Sequence, residues 1–144
     1  MNVSLKILEA PVLPPDRPLV RYHGGKWRLA PWILAFFPNH QTYVEPYGGG
    51  ASVLLQKQRC YCEVYNDLDD DIYNLMRVAR EKTEELVWAI GLTPFSRVEF
   101  QTAILACSDP LEKARRTLVR AAMGFGSAAA SAEQIGRASC RERV

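Results

Sequence analysis

Histidine is scarce in this sequence, with two residues in 144, and the four cysteines fall as a Cys60-x-Cys62 pair plus the isolated Cys107 and Cys140. Strand periodicity would put Cys60 and Cys62 on one face. No second Cys or His pair stands at ligand spacing, however, and His23 and His40 lie far upstream. A structural metal needs a full set of such ligands, so no metal site is expected. Nor does any apolar run approach the length that spans a bilayer. The opening residues, MNVSLKILEAPVLPPDRP, lack an apolar stretch ending in a small-residue cleavage site, and the sequence predicts a cytoplasmic protein with no membrane partner. A dominant charge is missing too. The net charge is +2, and Arg137, Arg141 and Arg143 against Glu142 supply all of it within the last ten residues. The remainder is neutral, so bulk charge argues for no partner.

Those last residues, 135–144, IGRASCRERV, have no apolar periodicity, and one back-translation resembles a sequencing adapter; they are expected to be an artefact outside the fold. At the other end, residues 1–19 hold Pro11, Pro14, Pro15 and Pro18 and predict an extended arm. Between them, RYHGGKW gives a Gly-Gly turn, and KWRLAPWILAFF has helical spacing with Pro31 suited to a first turn. Thr42–Glu45 is a short strand candidate running into Gly48-Gly49-Gly50, and Ala51–Gln58 predicts a helix directly after them. Arg59–Tyr65 alternates and is β-prone, predicting a second strand. Asp69, Asp70 and Asp71 then open a helix with an Ile72, Leu75, Met76, Ala79 face, carboxylates lying at its positive end. Strand, glycine loop, helix, strand, acidic turn and helix make a βαβ unit, hence an α/β fold with a parallel sheet.

After Gly91 the pattern becomes purely helical. Ser96 and Glu99 fit a capping box, and Asp109, Pro110 and Glu112 supply N-cap, N1 and N3 signals for a helix carrying Arg115, Arg116 and Arg120 and ending at Gly124. That basic helix is expected to show its arginines to solvent or to phosphate.

A glycine loop at the end of the first strand of a βαβ unit is where nucleotide-like ligands sit. Asp67 closes the second strand about 20 residues on, where a carboxylate can accept from ribose hydroxyls. The loop is not of the dinucleotide type, because G-x-G-x-x-G is absent and Glu45-Pro46-Tyr47 puts a carboxylate where pyrophosphate would be repelled. Gly24-Gly25-Lys26 is no P-loop either, since Val20 and Trp27 stand where glycine and Ser/Thr belong. An adenosine ligand with a positive centre and no phosphate, S-adenosylmethionine, suits an acidic loop. Two rival readings remain: a non-catalytic adenosine-binding or S-adenosylmethionine-binding module, and a dinucleotide-dependent oxidoreductase domain.

Three stretches occur in order: YHGGK at Tyr22–Lys26, VEPYGGGASV at Val44–Val53, and NDLDDDIYNL at Asn66–Leu75. Together they resemble the opening of a Dam-like, D12 class DNA adenine N6-methyltransferase across residues 20–126. The resemblance implies a Rossmann-like S-adenosylmethionine-dependent methyltransferase fold, with its N-terminal half at residues 20–92 and a helical target-recognition insertion beginning at residues 93–134. It implies methyl transfer to N6 of adenine in double-stranded DNA, and it admits a cognate restriction endonuclease as a further partner. Carried over by position, Tyr22 and Lys26 border the cofactor, Lys26 near its methionine carboxylate. Glu45, Pro46 and Tyr47 with the backbone at Gly49, Gly50 and Ser52 hold the methionine portion, and Asp67 holds the ribose. Ala51 stands where the family often has glycine, which implies a stiffer loop. Arg116 and Arg120 are the candidate DNA contacts, whereas Met123-Gly124-Phe125-Gly126 replaces the family's Asn-Gly step.

The family grips its flipped adenine with an (Asp/Asn)-Pro-Pro-aromatic motif. Here the only Pro-Pro is Pro14-Pro15, between Leu13 and Asp16, which is not that motif. Because the motif follows the insertion, the sequence is expected to be an N-terminal piece with much of the cofactor site and no catalytic residue, inactive by itself.

Overall fold

A computed structural model describes residues 15–124. The expected artefact, most of the arm and the Phe125-Gly126 step lie outside the described residues. Among the described residues five helices and two strands run in the order α1 (Ala30–Leu34), β1 (Thr42–Glu45), β2 (Cys62–Tyr65), α2 (Asp70–Glu81), α3 (Thr83–Gly91), α4 (Arg97–Ile104) and α5 (Pro110–Met123). The strands pair in parallel, with Thr42 opposite Cys62, Val44 opposite Val64 and Glu45 opposite Tyr65. The ends of both strands therefore reach the same edge, where the glycine loop and the acidic turn begin.

Helices α2, α4 and α5 start at side-chain caps. Asp69 is the N-cap of α2, its Oδ1 accepting from the Asp71 and Ile72 amides. Asp109 caps α5 by accepting from Glu112 N–H at 2.7 Å, with Pro110 in the first turn. Such caps are worth about 1 kcal/mol each. The Ser96 box forms by half: Ser96 Oγ accepts from Glu99 N–H at 3.1 Å, but the Glu99 carboxylate pairs with Arg115 at 2.5 Å.

Two expectations need correction. Residues 51–58 form successive turns rather than the predicted helix. Two helix-type bonds form, Leu55 N–H to Ala51 O and Lys57 N–H to Val53 O. But Leu54 N–H, which a helix would aim at the Gly50 carbonyl, donates instead to Glu45 Oε1 at 2.9 Å, and Gln56 N–H reaches only to Val53 O. The second strand is confined to Cys62–Tyr65. Glu63 Oε1 accepts from the Cys60 amide and pairs with Lys57, folding the residues before Cys62 away from strand geometry. Burial raises Glu63, but the Lys57 hydrogen bond, the Cys60 amide and the nearby Lys57 and Arg59 charges hold its carboxyl below the usual range.

The main core joins α2, α3 and α5 through Val20, Ile72, Leu75, Val78, Leu86, Ala114 and Ala121. A second cluster, Phe100, Ala103, Val119 and Met123, fastens α4 to α5. Helix α5, expected within a separate insertion, thus shares its core with α2. Between the strands the packing is thinner. Val44 and Val64 face one another across the ladder at 52% and 43% exposure, although parallel sheets are normally covered on both faces.

Candidate functional site

The three sequence stretches converge on the glycine loop. Tyr22 lays its ring on it: a Cβ at Gly49 would lie 2.9 Å from Tyr22 Cε1, and one at Gly50 3.3 Å from Tyr22 Cβ. Gly25 abuts the loop from the same side, since a Cβ there would sit 3.7 Å from Ser52 Oγ. The third stretch reaches in through Asp67, whose Oδ2 accepts from Gly49 N–H at 2.7 Å. Gly49 has φ +50, a conformation that glycine adopts without cost. Ala51 follows at φ +51, where its Cβ is strained, and it is the single described non-glycine residue with positive φ.

Carboxylates line this edge. Asp67 accepts at both oxygens, its Oδ1 taking the Asp69 N–H at 2.9 Å. Asp69 Oδ2 accepts from Tyr22 O–H at 3.3 Å. Burial, then the charges of Asp69 and Asp67, raise the Tyr22 phenol and keep it a donor. Glu45 Oε1 accepts from Tyr43 O–H at 2.7 Å and from Leu54 N–H, which raises the Tyr43 phenol further beyond what burial does. Glu45 Oε2, by contrast, is buried with no hydrogen-bond partner among the described residues and lies 3.1 Å from where a Gly48 Cβ would be. A buried unpaired carboxylate oxygen is costly unless a donor or cation meets it. The glycines let Tyr22 and Tyr65 pack directly on the loop backbone, and the orphan oxygen beside them suits a cationic ligand.

The remaining candidates are less central. Pro46 contributes its carbonyl to Asn66 Nδ2 at 3.0 Å, and Tyr47 is 78% exposed beside the loop. Lys26 curls back so that its ammonium donates to Gly24 O, and it makes no described bond to the loop. Gly50 and Ser52 are buried.

Arg116 and Arg120 do not present a solvated or phosphate-ready face. Their side chains are each 15% exposed. Arg116 pairs with Glu112 at 2.7 Å and donates to Leu105 O; Arg120 pairs with Asp71 and donates to Ala103 O at 2.8 Å. Arg115 is drawn in likewise by Glu112, Glu99 and Thr93. The Arg115 hydrogen bond, outweighing burial, helped by that of Arg116, pulls the Glu112 carboxyl down to about 2. The chain thus spends these charges on holding α5 to α2 and α4.

Sequence reasoning missed Tyr65. Its hydroxyl donates to Gly49 O at 2.7 Å, and its ring occupies the space where a Gly48 side chain would be. Its position opposite Glu45 across the ladder was the available signal, but only after the register was known.

Among the described residues no cluster of His, Cys, Asp and Glu could hold a metal, and no helix is long and apolar enough to cross a membrane. Comparison with known families matches residues 22–103 to the D12 class N6 adenine-specific DNA methyltransferases. No curated protein matches the chain significantly.

Proposed function

The chain belongs to the D12 class N6 adenine-specific DNA methyltransferase family, and on that premise we propose that its glycine loop binds S-adenosylmethionine for methyl transfer to N6 of adenine in duplex DNA. The observation that carries the reading is the Glu45 oxygen buried without a partner beside Gly48. A phosphate-bearing dinucleotide would meet repulsion there. A ligand with an ammonium and a sulfonium would meet attraction. The residues around the loop fit that ligand.

In this reading Glu45 Oε2 accepts from the amino group of the methionine portion. Gly50 and the backbone up to Ser52 line the same portion, Gly50 being backed by Tyr22 and Val20. Asp67 keeps its two backbone donors and offers the free lone pairs of its oxygens to ribose hydroxyls. Tyr22, fixed by Asp69, walls the loop, and Tyr47 is exposed enough to cover a bound ring. Lys26 must leave Gly24 O to reach a carboxylate. When bound, S-adenosylmethionine supplies an electrophilic methyl group. No residue here is assigned to gripping adenine, because the chain has no (Asp/Asn)-Pro-Pro-aromatic stretch. Arg116 and Arg120 act structurally in this reading, since freeing either would break a part-buried ion pair.

Calorimetric titration of the 144-residue chain with S-adenosylmethionine and, separately, NAD tests the proposal. Saturable binding of S-adenosylmethionine with none of NAD is expected, together with no transfer of labelled methyl to duplex DNA. Binding of NAD in preference would overturn it.

A further inference from the structure

Both polar groups of Gly49 are taken by side chains from the end of β2. Its N–H goes to Asp67 Oδ2 at 2.7 Å and its C=O receives the Tyr65 hydroxyl at 2.7 Å. Gly49 is also the position with φ +50. A backbone unit held from both sides in a conformation that glycine samples among others is pre-set rather than selected on binding. The Tyr65 ring adds a second constraint. It lies so close to Gly48 that any Cβ there would overlap it. Gly48 in turn donates its N–H to Asn66 O at 2.9 Å, and its carbonyl accepts from Ala51 N–H at 2.8 Å.

From this we propose that Tyr65 is a positioning residue for the cofactor: its hydroxyl and ring clamp Gly48-Gly49 so that the loop is fixed before ligand arrives. The inference rests on the S-adenosylmethionine reading and adds a residue that the three sequence stretches do not mark. Loss of the hydroxyl leaves the Gly49 carbonyl to water and frees the loop to move, so affinity falls through lost preorganisation, with no contact between Tyr65 and ligand. Burial, followed by the Asp67 and Glu45 charges, raises the Tyr65 phenol, and the clamp therefore keeps its donor across the neutral range.

The test uses the 144-residue chain, its Tyr65→Phe and Gly48→Ala variants, the double variant, and Tyr61→Phe as a control at a 93% exposed tyrosine. S-adenosylmethionine affinity is read by calorimetry and the Gly49 amide by hydrogen exchange in the free protein. Tyr65→Phe keeps the ring, so its melting temperature stays near that of the parent. Its affinity falls about tenfold, the upper range for one neutral hydrogen bond. Gly49 exchange quickens by a similar factor while the α2 amides do not change. Gly48→Ala displaces the same ring, so adding it to Tyr65→Phe costs less than the product of the two single effects. Unchanged affinity in Tyr65→Phe overturns the proposal, whatever the exchange rates. Faster Gly49 exchange in a chain that binds no S-adenosylmethionine would support the clamp and overturn the cofactor reading, which keeps the two failures apart.

Discussion

Between α2 and α5 the chain is held by buried hydrocarbon, with Ile72 and Leu75 fully enclosed, supplemented by the Asp71 pairs with Lys113 and Arg120, whereas the glycine loop is held by side chains that take backbone hydrogen bonds. The first arrangement tolerates small shifts, because dispersion and burial are non-directional. The second fixes individual atoms and leaves one, Glu45 Oε2, without a partner. Beside the loop the sheet still exposes Val44 and Val64. Stability is concentrated in the helices and geometry in the loop, a division expected where backbone must meet a ligand.

Substitutions can separate the two regions. Leu75→Ala removes a side chain with no exposure and should cost about 2–5 kcal/mol in urea unfolding. If the comparison holds, any cofactor affinity that survives in the folded fraction is nearly unchanged. Asp67→Ala should do the reverse: affinity for S-adenosylmethionine falls by about 1.5–3 kcal/mol, the range for hydrogen bonds to a charged group, with a smaller loss of global stability. A large drop in melting temperature with intact affinity would erase the distinction.

Acid should weaken the helical region through Glu112. The Glu112 carboxyl lies at about 2 against an ordinary 4.5, because Arg115 and Arg116 bind its charged form. A depressed value means stability that is complete above pH 4.5 and is lost as pH falls through about 2. Glu112→Gln should flatten unfolding curves between those values, and an unchanged pH slope would show the pairs contribute nothing. The smallest effect is expected at Ala51. Ala51→Gly relieves the positive φ but gives up a buried methyl, two terms of about 1 kcal/mol each that oppose, leaving stability within about 0.5 kcal/mol of the parent by thermal melting.

Much of this was legible in the residues. The strand at Thr42–Glu45, the cap at Asp109-Pro110 with Glu112, and the α2 face through Ile72 and Leu75 are set by local pattern, and they formed as read. The family match over residues 22–103 likewise follows stretches visible in order along the chain. What was not legible depended on partners far away in sequence. Leu54 N–H is taken by Glu45, so residues 51–58 do not continue as a helix. Arg120 turns inward because Asp71 lies across from it, which no periodicity along α5 reveals. Tyr65 reads as an ordinary strand aromatic until the parallel register brings it beside Glu45 and over Gly48.

Hydrogen exchange on the 144-residue chain with and without S-adenosylmethionine tests the convergence of the three stretches most directly. Slowed exchange is expected at Gly48 to Ser52 and at Asp67 to Asp69, with α4 and α5 unaffected and no slowing by NAD. Protection confined to α4 or α5, or equal protection by NAD, would contradict that convergence.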